Sequence, residues 1–189
     1  MSGTASTRTE RLAADGAGLD RAAALLADGR LVAFPTETVY GLGADGRDPA
    51  AVAALYAAKG RPRFNPLIAH VPAISAARRE GVFDAAASAL AAAFWPGPLT
   101  LVVPAGPGCA VSDLARAGLA SVALRVPSHT VARDLLGRCG CPVVAPSANL
   151  SGRISPTAAP DVLADLDGVI AAVVDGGRTQ IGLESTIVA

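Results

Sequence analysis

The stretch Leu31-Val32-Ala33-Phe34-Pro35-Thr36-Glu37-Thr38-Val39-Tyr40-Gly41-Leu42-Gly43, followed by Asp48-Pro49 and an alanine-rich run ending at Lys59-Gly60, decides the fold. Four apolar residues stopped by a proline read as a short buried strand over residues 31–34. Asp48 as N-cap, with proline at the first helical position, opens a helix that runs through Leu55 and Tyr56 to Lys59. Residues 35–43 between them offer two hydroxyls, a phenol, a carboxylate and two glycines that let a backbone approach closely. Loops at the carboxyl ends of strands are where α/β proteins place ligands. The plainer reading is an ordinary strand-to-helix turn. Glu37 is one of only four glutamates in the chain, which argues against a decorative surface role.

The same alternation continues outward. An amphipathic helix is expected over residues 19–28, closed by Gly29. Strands are expected at 67–71, 99–103, 121–126, 142–145, 169–174 and 185–188, with helices at 84–94, near 130–136 and at 161–166. Alternating short strands and helices give an α/β domain. Residues 1–16 read as a flexible N-terminal tail and 17–189 as a single domain, with no repeat or linker dividing it.

Composition limits the function classes. A chain of 189 residues can bury a real core, and 51% of it is apolar. Formal net charge is zero, so any positive potential must be local, and few aromatics remove the stacking platforms of single-strand binders. No apolar stretch is long enough to span a bilayer and no secretory signal opens the chain, so a cytoplasmic location with no membrane partner is the default. Cys139-Gly140-Cys141 reads as small residues flanking a strand before it reads as a redox or metal pair.

Lys59 is the only lysine among sixteen Lys and Arg positions. It opens Lys59-Gly60-Arg61-Pro62-Arg63-Phe64-Asn65-Pro66, three cations in five residues with two prolines. An ammonium is a point charge that a guanidinium does not copy, so the segment reads as an anion site ahead of a solvated helix end. Ser147 and Asn149 lie two apart and can flank one bound group, although alone the pair reads as a cap or Asx-turn. Glu184-Ser185-Thr186 again sets a carboxylate and hydroxyls beside apolar residues, and Arg125 sits in a strand between Leu124 and Val126. No phosphate-binding P-loop, dinucleotide fingerprint, zinc histidine pair or nucleophile elbow is present. What remains is phosphate or nucleotide chemistry driven by positioning and electrostatics.

Six segments in order, Phe34 to Gly43, Lys59-Gly60-Arg61-Pro62 with Asn65-Pro66-Leu67, Trp95-Pro96-Gly97-Pro98-Leu99-Thr100, Leu124-Arg125-Val126-Pro127, Ala145 to Gly152 and Glu184 to Val188, together resemble the YrdC family of L-threonylcarbamoyladenylate synthases. The resemblance implies a YrdC/RibB-like twisted, mixed open sheet with flanking helices and a large, locally positive concave cavity. It implies a nucleotidyltransferase that joins L-threonine, bicarbonate or CO₂ and ATP, with Mg²⁺, into threonylcarbamoyl-AMP and pyrophosphate. A threonylcarbamoyl-transferase complex would then act on tRNA. By the family pattern Lys59 and Arg61 are catalytic and bind ATP, joined by Arg63, Ser121, Ser147, Asn149 and Ser155. Thr36, His70, Arg125 and Ser185 would hold threonine, Arg125 as a bidentate fork on its carboxylate, with Thr38 and Tyr40 nearby; no protein-held metal is expected. Family members continue past Val188 into another strand and long ones add a domain, so the stop at Ala189 reads as a short type, naturally ended or truncated. The alternatives are a non-catalytic YrdC-like module that binds tRNA or another RNA, and a YrdC-like domain serving another carbamoyl transfer.

Overall fold

A computed structural model describes residues 8–62 and 64–189. In chain order its elements are β1 (Glu10–Ala13), α1 (Gly16–Ala27), β2 (Val32–Pro35), β3 (Tyr40–Asp45), α2 (Pro49–Lys59), β4 (Ile68–His70), α3 (Ile74–Glu80), α4 (Ala85–Phe94), β5 (Leu99–Pro104), β6 (Ser121–Arg125), α5 (Thr130–Cys139), β7 (Val143–Val144), α6 (Ala159–Leu166), β8 (Ala172–Asp175) and β9 (Thr186–Val188). The strands form one mixed sheet in the order β1-β8-β2-β3-β7-β4-β6-β5-β9. β1, β2 and β8 run parallel, as do β4 with β6 and β5 with β9, and the remaining pairs are antiparallel. This is the mixed α/β sheet that the motifs imply.

Side-chain alternation explains why helices cover both faces. Val32 and Phe34 join a core with Leu19, Leu25 and Leu135, under α1 and α5. Leu31 and Ala33 join the opposite core with Val52, Leu55 and Tyr56 of α2. A strand buried on both faces reads as a continuous apolar run, which is what 31–34 is. The local signals hold as well. Asp48 accepts from the Ala50 amide at the start of α2, and Gly60 ends that helix in the left-handed region at φ 59°. Asp15 caps α1, where a Cβ on Gly18 would lie 1.9 Å from the Ala13 carbonyl oxygen.

Four expectations change. Residues 8–16 are not tail: β1 pairs with β8 from Glu10↔Ala172 to Ala13↔Asp175, while residues 1–7 lie outside the described part. Residues 40–43 are not loop but the first four of β3, paired from Pro35↔Tyr40 to Val32↔Gly43. Their glycines serve packing: at Gly43 a Cβ would meet the Phe34 ring at 2.9 Å and Val143 Cγ1 at 3.0 Å. Helix α3 has only seven residues, too few for a periodic signal. Finally, β8 begins at Ala172, because Val169 and Ile170 turn back onto the Leu166 carbonyl.

Candidate active site

The loop 36–39 after β2, the segment 66–68 leading into β4, the ends of β4 and β6, the loop after β7 and residues 184–185 before β9 converge on one cavity of about 230 Å³. Arg61, Arg125, His70, Ser147, Ser185 and Thr36 line it, with Glu184 as its only carboxylate among the described residues. Two guanidinium groups thus face one space in a chain of zero net charge. The local positive potential inferred from the motifs has a definite place.

Arg125 is 4% exposed, and its Nη2 donates to Glu37 Oε1 at 2.7 Å and to Thr38 Oγ1 at 2.9 Å. Glu37 is 3% exposed, and its Oε2 accepts from the Ser128 amide at 3.1 Å. Both hydrogens of Nη2 are therefore committed, while Nε is buried with no partner. Either two-point edge of a guanidinium includes Nη2. The expected bidentate fork on a ligand would have to share that nitrogen with Glu37 and Thr38, so a single-point contact through Nη1 fits better.

Thr36 lines the cavity but its hydroxyl is already employed. It donates to the Val39 carbonyl at 2.7 Å, and the Thr38 and Val39 amides approach the same oxygen at 3.2 and 3.3 Å. With its hydrogen committed, Thr36 Oγ1 accepts from the Thr38 hydroxyl, 2.8 Å away. A one-way chain follows: Arg125 N–H to Thr38, Thr38 O–H to Thr36, Thr36 O–H to Val39. Thr36 thus orders the turn, and Thr38 meets Arg125.

His70 is 3% exposed, and burial, reinforced by the Arg125 charge, pushes its pKa down to about 3. The ring is therefore neutral near pH 7. Its Nδ1 lies 3.1 Å from the Ile68 carbonyl and must carry the hydrogen, which leaves Nε2 as an acceptor. Ser185 Oγ lies 2.7 Å from Thr100 Oγ1, a fully buried hydroxyl that fixes it at the cavity wall.

The other expected residues separate into those at the cavity and those supporting it. Ser147 lines it, and Gly41 bridges to Ser147 across the floor. Arg61 lines it with a buried, unpartnered Nε. Lys59 does not line it. At 2% exposure its Nζ donates to the Ser147 carbonyl at 2.5 Å and to the Asn149 carbonyl, so it fastens the loop after β7 to the end of α2. Burial, with Arg61 adding repulsion, lowers its pKa to about 8.

Asn149 is likewise off the cavity: its Nδ2 donates to the Leu150 and Arg153 carbonyls at 3.0 and 2.7 Å, as a turn-forming residue does. Ser155 reaches the cavity only through its hydrogen bond to Glu184. Ser121 stands at the far end of β6 from Arg125, roughly 13 Å along the strand, and does not line the cavity. Tyr40 donates its phenol to the Gly177 carbonyl at 2.7 Å and is committed to the fold. Arg63 lies outside the described residues.

Reasoning from sequence noted Glu37 without giving it a partner, and gave Glu184 and Thr100 no role. Scarcity of glutamate was the usable signal for the first. Cys139 and Cys141 are free thiols pushed up to about 12 and about 11 by burial, as befits packed small residues. Among the described residues no helix is long and apolar enough to cross a membrane.

Comparison with known proteins agrees with this architecture. A threonylcarbamoyl-AMP synthase of Bacillus subtilis is 50% identical over 180 residues, covering 95% of this chain and 52% of the relative. One from Pyrococcus abyssi is 46% identical over 170 residues, covering 88% and 49%. A crystal structure of P. abyssi Sua5 complexed with L-threonine superposes with a TM-score of 0.89 at 43% identity, covering 95% of this chain and 53% of that one. Escherichia coli YciO, at 20% identity, shares the fold with a TM-score of 0.83 over 95% of this chain and 88% of its own. The chain spans about half the length of the curated relatives from B. subtilis and P. abyssi. The Sua5_yciO_yrdC family model, described as telomere recombination, matches residues 24–189, and the chain belongs to that family.

Proposed function

We propose that this chain forms threonylcarbamoyl-AMP from L-threonine, bicarbonate and ATP, and works in the cytoplasm ahead of a complex that transfers the threonylcarbamoyl group to tRNA. The observation that carries the reading is Arg125, whose guanidinium lines the cavity with Nη1 uncommitted, beside a neutral His70 and the fixed Ser185 hydroxyl. A guanidinium donor for a carboxylate and two small polar groups for a hydroxyl or amine suit an amino acid of threonine's size. The likeness to a Sua5 structure holding L-threonine supports the same ligand.

The reaction joins the threonine amine to bicarbonate with loss of water. An oxygen of the resulting carbamate attacks the α-phosphorus of ATP, and pyrophosphate leaves. Anionic groups crowd together at that step, so the chain's work is electrostatic positioning. Arg61 is the cavity's second guanidinium, and its positive charge suits a phosphate oxygen. Ser147 also lines the cavity, its backbone held in place by Lys59 and by the bridge to Gly41. Mg²⁺ would enter with ATP as part of that substrate and neutralise its charge; among the residues lining the cavity, Glu184, Ser147 and Ser185 are the hard oxygen donors that could hold it. The test is incorporation of labelled bicarbonate into an AMP adduct. Threonine and ATP should both be required, and an adduct that forms equally well with valine would overturn the assignment.

A further inference from the structure

We infer that Glu37, which the reading above leaves without a chemical role, is the positioning residue of the amino-acid site. It fixes the Arg125 guanidinium through Nη2 so that Nη1 remains for the substrate carboxylate. The inference rests on the threonine reading of this cavity and deepens it.

The geometry commits one nitrogen of Arg125 to the fold. Glu37 does not line the cavity, and its two oxygens divide between Arg125 Nη2 at 2.7 Å and the Ser128 amide at 3.1 Å. The second hydrogen of Nη2 goes to Thr38, whose own hydroxyl is oriented by Thr36. Three residues of one loop, 36 to 38, therefore clamp one nitrogen of a side chain that comes from β6, 87 to 89 positions later in the chain. The neighbouring Nε–H is buried with no acceptor. A buried guanidinium with Nη2 fully satisfied and Nη1 uncommitted is pre-aimed, because rotation of the side chain would break two bonds. The Ser128 amide fixes Glu37 in turn. Gln at position 37 keeps the volume but cannot copy this arrangement: its amide nitrogen must face either the Ser128 N–H or Arg125 Nη2, and one of the two bonds is lost.

The experiment compares wild type, Glu37→Gln, Thr36→Val and Thr36→Ser, using L-threonine and L-threonine amide as probes. Carboxylate preference is read as the ratio of their dissociation constants. Restricted rotation of the Arg125 side chain is read by ¹⁵N NMR. Wild type should prefer threonine and show a locked guanidinium. Glu37→Gln should raise the threonine KM on the order of tenfold to a hundredfold, as expected for an ångström-scale misplacement, while the ATP KM stays within about twofold. Its preference for the carboxylate should collapse. Thr36→Val should move the same way by a smaller factor and Thr36→Ser should restore it; these two decide the question if Glu37→Gln does not fold.

A folded Glu37→Gln that keeps both the carboxylate preference and the locked Arg125 signal would overturn the inference. So would an equal rise in both substrates' KM. Wild type that binds neither probe would overturn the threonine reading instead, and the Arg125 NMR signal would still decide whether Glu37 holds that side chain.

Discussion

Lys59 offers the sharpest test of how this site is built. Replacing it with alanine removes two hydrogen bonds to the Ser147 and Asn149 carbonyls and empties a side-chain volume that is 2% exposed. Each stranded carbonyl costs about 1–3 kcal/mol. Together with the lost packing of the alkyl stem, about 3–5 kcal/mol of stability should disappear. For a domain of this size that is a fall in Tm of roughly 6–20 °C. Lys59→Met keeps the stem and loses only the donors, so it should recover part of the fall and isolate the two bonds. Adduct formation should be lost in both, because the loop carrying Ser147 is no longer fastened. The amine's proton supplies a second readout. The unfolded chain holds it up to about 10.5 whereas the folded chain releases it near 8, so the stability contributed by this group rises with pH between those values. Over the same range the positive charge at the loop vanishes, and activity should show an alkaline limb near pH 8 that is absent in Lys59→Arg. A Lys59→Met protein that melts within 2 °C of wild type would refute the fastening role.

Other substitutions probe the frame around the cavity. Neutral His70 has a folded pKa near 3, below the unfolded 6.5, so stability should fall as the pH drops from about 6.5 toward 3, by about 1.4 kcal/mol per unit; His70→Asn should flatten that slope in acid titrations of Tm. Gly43→Ala places a methyl 2.9 Å from the Phe34 ring and 3.1 Å from the Val32 carbonyl oxygen, and should cost about 1–3 kcal/mol by chemical denaturation. Tyr40→Phe removes only the bond to the Gly177 carbonyl, for about 1 kcal/mol, and should leave the threonine KM unchanged.

Much of the fold was legible because its signals are local. The proline that ends β2, the Asp48 cap, the left-handed Gly60 and the continuous apolar run 31–34 each act within a few residues. What escaped depends on distant partners. β1 is polar at Glu10 and Arg11 and becomes a strand only because β8 offers a parallel edge about 160 residues later. The glycines of β3 look like turn residues, and they are needed because Phe34, Val143 and Ala145 crowd the sheet at that point.

The site divides along the same line. Residue type announced an anion cradle and a polar pocket, and the motifs placed Arg61, Arg125, His70, Ser147 and Ser185 on one cavity. Residue type did not reveal which polar atoms would be consumed by the protein itself. Residue type could not show that two of the three hydrogens of the lone lysine's ammonium go to backbone carbonyls. Nor could it show that the one hydrogen of Thr36, which lines the cavity, is donated to the Val39 carbonyl. Each polar group has few bonds to give, and burial forces every one of them to find a partner. At the cavity the groups left over after the fold has taken its share are Arg125 Nη1, the Arg61 guanidinium and the acceptor nitrogen of His70, while Asn149 Oδ1 is unpartnered but buried away from it. Function therefore follows from that remainder: in a buried cavity the groups available to a ligand are those the fold has left unsatisfied, and the residues that satisfy the others determine where they point.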